Sequence, residues 1–303
     1  MASTDPSLLA RIFTPGPTRD NHPAGGATGK AGRNLVQAIT TAVVLIAAVA
    51  VPLFTSLSAF VGVIGFVCLV GIWELAGAFA RMGITLAVPP LYVGAIGIVT
   101  CAWWLGSEGT LFALYITVFV CAAWRLLDRR QESRMSDVVS TTFTAVYVPF
   151  LASFVVLMLA AWQNPWVFVV FELMVIANDT GGWAAGVLFG KHPMAPALSP
   201  KKSWEGFVGS ALTAVGVGTV GLWWLGAAWW WGIIAGVSIA FVGTMGDLTE
   251  SMIKRESGLK DMSQILPGHG GVLDRVDALL MSAPVAYFIF AWALPGVSWE
   301  SRH

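Results

Sequence analysis

Charge is what this sequence has least of: 11% of its 303 residues are Asp, Glu, Lys or Arg, against 56% that are hydrophobic. A water-soluble fold of this length cannot hide so much apolar surface, which excludes an ordinary soluble domain. Cysteine is equally sparse. Cys68, Cys101 and Cys121 stand singly inside apolar runs with no CxxC or Cys/His spacing, so neither a disulfide framework nor a zinc site is expected. They read as packing residues. Neither sign of charge dominates, since 17 Lys and Arg balance 17 Asp and Glu. No basic block is dense enough for DNA or RNA, so nucleic acid is not an expected partner.

What is present is a series of long apolar runs and a mean hydropathy of +0.74. A bilayer core takes about 20 apolar residues per helix, and hydropathy places spans at 34–53, 58–79, 88–106, 109–127, 139–162, 165–189, 206–226, 229–247 and 277–295. The expected fold is therefore all-α: a polytopic integral membrane protein of about nine transmembrane helices with a cytoplasmic N-terminus. Residues 1–33, rich in Pro, Gly, Thr and Ser, read as a disordered cytoplasmic tail without a signal peptide. Residues 34–164 then carry the N-terminal helices, and 165–303 a C-terminal transmembrane catalytic region with two polar cytoplasmic loops. Alternating nine spans from a cytoplasmic start puts every Lys and Arg except Arg302 on the cytoplasmic side, as the positive-inside rule demands. Trp103, Trp104, Trp223, Trp224 and Trp229 to Trp231 sit at span ends as an interfacial belt.

Two cytoplasmic segments, Lys191 to Glu205 and Glu250 to Asp274, are long and polar where other loops are short. Asp179 precedes Gly182 by three and shares the small-residue stripe Gly182, Gly186, Gly190, which turns it toward protein rather than lipid. Asp247 ends a similar stripe, Gly236, Ala240, Gly243, at the cytoplasmic end of its span. Asp274 and Asp277, at i and i+3, share one side of the next helix start. If those two helices form a hairpin, Asp247 and Asp274 converge. Converging carboxylates at a membrane surface call for a cation, and Mg2+ held by carboxylates and substrate phosphates is the common solution. Each acid also has a plainer reading as a helix cap or an interhelical hydrogen-bond partner, and Ser203 likewise as a cap. Glu172, deeper in its span, reads as structural.

Ser251, Lys254, Arg255, Lys260 and Asp261, followed by Pro267, His269, Gly270, Gly271, Asp274, Arg275 and Asp277, resemble the full signature of the phosphatidate cytidylyltransferases, or CDP-diacylglycerol synthases. Asn178-Asp179 with its spaced glycines, the run Ser199 to Gly206, and Gly246-Asp247 look like further family segments. The likeness covers roughly the C-terminal half. Gly182-Trp183 replaces a usual Ala-Tyr pair, and Lys201 and Ser203 stand where Asn and Thr are common.

The resemblance implies a reaction joining CTP to phosphatidate, giving CDP-diacylglycerol and pyrophosphate. It implies Asp247 and Asp274 as Mg2+ ligands, with Asp277 as a third ligand or an orienter. Lys202, Lys254, Arg255, Lys260 and Arg275 become phosphate partners, and His269 a phosphate donor or a proton acceptor. Ser199, Ser203, Glu205, Gly270 and Gly271 fall on the substrate side, while Asp179 is left to the nucleotide or to a second cation such as K+. The expected setting is the lipid bilayer of the inner (plasma) membrane, with the site facing the cytoplasm and a homodimer by family analogy. Two rivals stay open: an ion-coupled transporter using Asp179 and Asp247, and a CTP-dependent kinase of a membrane alcohol.

Overall fold

The computed structural model describes residues 35–128, 135–266 and 270–295; the expected tail and His269 lie outside them. Helices α1 (Leu35–Thr55), α2 (Leu57–Arg81), α3 (Val88–Trp104) and α4 (Gly106–Leu127) form the first half of the bundle. The next rod begins as α5 (Met135–Ala145), widens into a π-helical turn over Val146–Phe150, and resumes as α6 (Leu151–Trp162). Pro149 lies in that turn; lacking an N–H, it cannot donate to the carbonyl four residues back, and the wider π ladder absorbs the gap.

The second half comprises α7 (Pro165–Phe189), α8 (Trp204–Trp224), α9 (Trp230–Glu256) and α10 (Leu273–Ala293). Seven of the helical rods are long and apolar enough to cross a bilayer, whereas Ile39–Thr55 and Val88–Trp104 are apolar but shorter. The outer surface agrees: Leu111, Phe112, Tyr115 and Phe119 of α4 are exposed, a display that hydrocarbon tolerates and water does not. This is a multi-pass membrane protein.

Small residues let the second-half helices touch backbone to backbone. A Cβ on Gly181 of α7 would lie 2.8 Å from the Gly209 carbonyl oxygen of α8, and one on Gly232 of α9 would lie 2.2 Å from Thr219 Cα. Gly246 faces α10, where an added Cβ would stand 2.8 Å from the Asp277 carbonyl oxygen. So α9 is wedged between α8 and α10, and the expected hairpin is present.

Two expectations need correction. The helix bearing Asp247 does not end there: α9 continues to Glu256, because its last turns are amphipathic rather than apolar, and Ser251 to Glu256 is helix instead of loop. Its partner α10 starts at Leu273, ahead of the apolar span that begins at 277, and Asp274 lies in its first turn, at the helix start where the sequence puts it. The Lys191 to Glu205 segment is no plain loop either. It contains an antiparallel hairpin, β1 (Pro193–Ala195) with β2 (Ser199–Ser203), the exception to the all-α pattern among the described residues.

Candidate active site

The hairpin and the adjoining ends of α7, α8, α9 and α10 enclose a cavity of about 420 Å3. Asn178, Asp179 and Trp183 line it from α7, Lys201, Lys202 and Ser203 from β2, and Phe207 and Ser210 from α8. Thr244 and Asp247 of α9 and Asp274, Arg275 and Asp277 of α10 complete the wall. Charges of both signs therefore converge in a chain that has few of either.

Local structure explains how each group gets there. The Ser203 hydroxyl accepts from Gly206 N at 3.1 Å and caps α8, so its plainer reading holds while it also faces the cavity. Glu205 folds back on the hairpin: its carboxylate accepts from Lys191 N and His192 N at 3.1 and 3.2 Å and meets His192 Nδ1 at 2.6 Å. It therefore shapes the loop instead of lining the cavity. Lys202, held by the same hairpin, donates to Asp247 Oδ2. Beneath the cavity Asn178 donates to Asp179 Oδ1 at 2.9 Å, and Ser210 Oγ donates to the Asn178 carbonyl at 2.7 Å.

On α9, Asp247, Glu250 and Lys254 fall at i, i+3 and i+7, one face of the helix. Lys254 Nζ donates to Glu250 Oε2 at 2.7 Å and to Asp274 Oδ1 at 2.8 Å, bridging α9 to α10. Asp274 Oδ2 accepts from Met262 N at 2.9 Å and Gly271 N at 2.8 Å. Asp277 lies close enough to Glu250 and Asp247 for their charges to interact, a proximity of carboxylates that needs a proton or a cation to be tolerable. Glu250 Oε1 is buried and, among the described residues, has no partner.

These hard oxygen donors fit a divalent ion such as Mg2+ in type. Among the described residues no three or more His, Cys, Asp or Glu side chains stand around one point as a formed metal site. The acids meet pairwise, with the Lys202 and Lys254 ammonium groups beside them.

Of the residues singled out in sequence, Asp179, Lys202, Ser203, Asp247, Asp274, Arg275 and Asp277 share the cavity wall. Lys254 stands behind it. Arg255 is turned to the hairpin, with Nε donating to the Leu198 carbonyl at 3.2 Å. Ser199, Glu205, Lys260, Gly270 and Gly271 do not line the cavity, although Gly271 donates to Asp274. Glu172 is outside it as well, with Oε2 buried and unpartnered among the described residues. Glu250 and Glu74 went unrecognised in the sequence. The spacing of Glu250 from Asp247 and Lys254 on one helix was a usable signal, whereas Glu74 had none.

A family model described as "Cytidylyltransferase family" matches residues 36–293. A phosphatidate cytidylyltransferase of Mycobacterium bovis is 38% identical over 277 residues, 86% of this chain and 90% of that protein. The enzyme of that name from Mycobacterium leprae is 34% identical over 95% of this chain and 98% of its own length. A third, from Haemophilus influenzae, is 33% identical over 84% of this chain and 99% of its own length.

Proposed function

The chain belongs to the cytidylyltransferase family, and from that premise we propose how its polar cavity carries out the reaction for which its relatives are named. It transfers the cytidylyl group of CTP to phosphatidate, giving CDP-diacylglycerol and pyrophosphate. The observation that carries this reading is one cavity in which four aspartates, two lysines and an arginine meet at the end of an apolar bundle.

The phosphatidate phosphate is anionic at neutral pH and needs no general base to become a nucleophile, which matches a cavity wall that has no histidine or cysteine among the described residues. One of its oxygens attacks the α-phosphorus of CTP. A new O–P bond forms there, the bond to the β-phosphate breaks, and pyrophosphate leaves. Lys201, Lys202 and Arg275 face the cavity and hold phosphate oxygens, so catalysis rests on positioning and charge stabilisation. Asp247 and Asp277, with Asp274 and Glu250 beside them, would hold Mg2+. When bound, that ion supplies the charge neutralisation that the transferring phosphorus and the departing pyrophosphate need. Lys202 and Lys254 are then free to turn from carboxylate to phosphate. Asp179, close enough to Asp247 for their charges to interact, serves the nucleotide or a second cation such as K+.

Nine spans, a cytoplasmic N-terminus and a homodimer in the inner (plasma) membrane, with the cavity facing the cytoplasm, complete the reading. It is supported by the charge distribution along the sequence, by the two shorter apolar helices, and for the dimer by family analogy. The decisive assay incubates purified protein with CTP, Mg2+ and phosphatidate. CDP-lipid with pyrophosphate is expected; CDP released when a long-chain membrane alcohol replaces phosphatidate would instead identify a CTP-dependent kinase, and turnover of neither lipid would favour a transporter.

A further inference from the structure

Helix α10 presents Asp274, Arg275 and Asp277 to the cavity, yet it has no side-chain cap of its own: Val272 occupies the N-cap position. The missing acceptor comes from a distant part of the chain. Glu74, on α2 and fully buried, accepts from Val272 N through Oε1 at 2.9 Å and from Leu273 N through Oε2 at 2.7 Å. The same Oε1 also accepts from Ser263 Oγ at 2.5 Å. A Cβ on Gly271 would lie 2.7 Å from Glu74 Oε1 and 2.9 Å from Asp274 Oδ2, so this glycine passes between the two carboxylates where no side chain fits. One turn earlier on α2, Gly71 lies against Val148, whose Cγ1 would stand 3.2 Å from an added Cβ, with Leu273 Cδ1 at an ordinary contact distance of 3.7 Å.

We infer that Glu74 is a positioning residue of the transfer reaction: it caps α10 from α2, fixes both Ser263 and the α10 start, and so holds Asp274, Arg275 and Asp277 against Asp247. The inference rests on the proposed reading of the cavity, because Glu74 itself lies outside the cavity wall. It gives the first half of the bundle a part in the chemistry that the signature residues alone do not show. The physical basis is that the first N–H groups of a helix have no intrahelical acceptor. A negative charge placed there also favours the helix dipole.

The test uses Glu74→Gln in the full chain. Glutamine keeps the size and one acceptor but turns an NH2 group toward a donor, so one of the three hydrogen bonds must fail. Without CTP or Mg2+, hydrogen exchange is expected to rise across 270–275 while the rest of α2 and α10 stays protected. In the assay kcat is expected to fall about tenfold or more, with KM for CTP and the melting temperature close to wild type. Glu74→Asp keeps the charge but falls a methylene short of the α10 amides, and the same local opening is expected. Ser263→Ala, which leaves both backbone hydrogen bonds, is expected to cost much less.

Unchanged exchange in both Glu74 variants would overturn the clamp. Increased exchange with wild-type kcat would overturn the positioning role, as would a loss of kcat that merely tracks global unfolding. Asp247→Asn is measured in parallel: if it retains wild-type turnover, the fault lies with the reading of the cavity rather than with Glu74.

Discussion

Asp247 and Asp274 carry the same functional group but are held differently, and their variants should separate accordingly. Asp247 is bound by Lys202 and neighbours Asp277, so Asp247→Asn removes charge from the reacting centre and disturbs little packing. Turnover is expected to fall by about 100-fold or more with an unchanged melting curve; wild-type turnover would remove Asp247 from the chemistry. Asp274 also organises the chain through Met262 N and Gly271 N. Asp274→Asn should therefore lose both turnover and thermal stability, and a variant that loses neither would refute its double role. Lys254 is 17% exposed between Glu250 at 2% and Asp274 at 5%. Lys254→Met leaves two buried carboxylates without their cation, which costs about 3 kcal/mol or more. A melting temperature equal to wild type would contradict that. The aspartates were legible in the sequence because an acid in an apolar chain is conspicuous. Glu74 is also an acid in an apolar run, but no spacing or neighbouring motif marks its role, since its partners lie 189 to 199 residues away.

Glycine does at the scale of the helix what carboxylate does at the site. On α9, added Cβ atoms at Gly232 and Gly236 would come within 2.2 and 2.4 Å of α8 backbone carbons, while Gly216 of α8 has nothing within 4 Å. Replacing Gly232 or Gly236 by Leu must push α8 and α9 apart, at an expected cost of about 3 kcal/mol, and should also reduce activity by displacing Asp247. Gly216→Ala is the control, expected to be neutral or slightly stabilising through helix propensity. Detergent-solubilised melting curves of the three variants decide it, and equal stability for all three would refute the close contact. Most helices could be read from the sequence because hydrocarbon demands continuous apolar runs. The glycine stripe through Gly182 and Gly186 was legible for the same reason, since close contact demands small residues at helical spacing. The end of α9 was not, because Lys254, Arg255 and Glu256 look like a loop once the apolar run stops. Nor was the β-hairpin, whose two short strands are fixed by Glu205 and His192 rather than by any strand periodicity.

Among the described residues, the ion pairs gather at one end of the bundle. Arg81 at the end of α2 donates to the Ser257 carbonyl just past α9 at 2.9 Å. Arg125 at the end of α4 pairs with Asp137 at the start of α5, and Asp137 in turn accepts from Thr85 N at 3.0 Å. These residues, the hairpin and the cavity are tied by contact to a single face, although they come from most of the length of the chain. The opposite end, at the α8–α9 turn, carries Trp223, Trp224, Trp229 and Trp230, the aromatic belt expected of an interface. The 21 residues of α8 separate Lys191 from Ala228 by about 30 Å, the thickness of a hydrocarbon core. Single cysteines at these two exposed positions, in a chain whose native Cys68 and Cys121 are buried and whose Cys101 is partly buried, give a direct test of orientation. In intact cells an impermeant thiol reagent is expected to label Ala228→Cys, and Lys191→Cys only after the membrane is opened. The reverse pattern would place the cavity on the outer face, away from cytoplasmic CTP, and would overturn the proposed orientation while leaving the fold intact. Labelling of both in intact cells would mean that α8 does not span the bilayer at all.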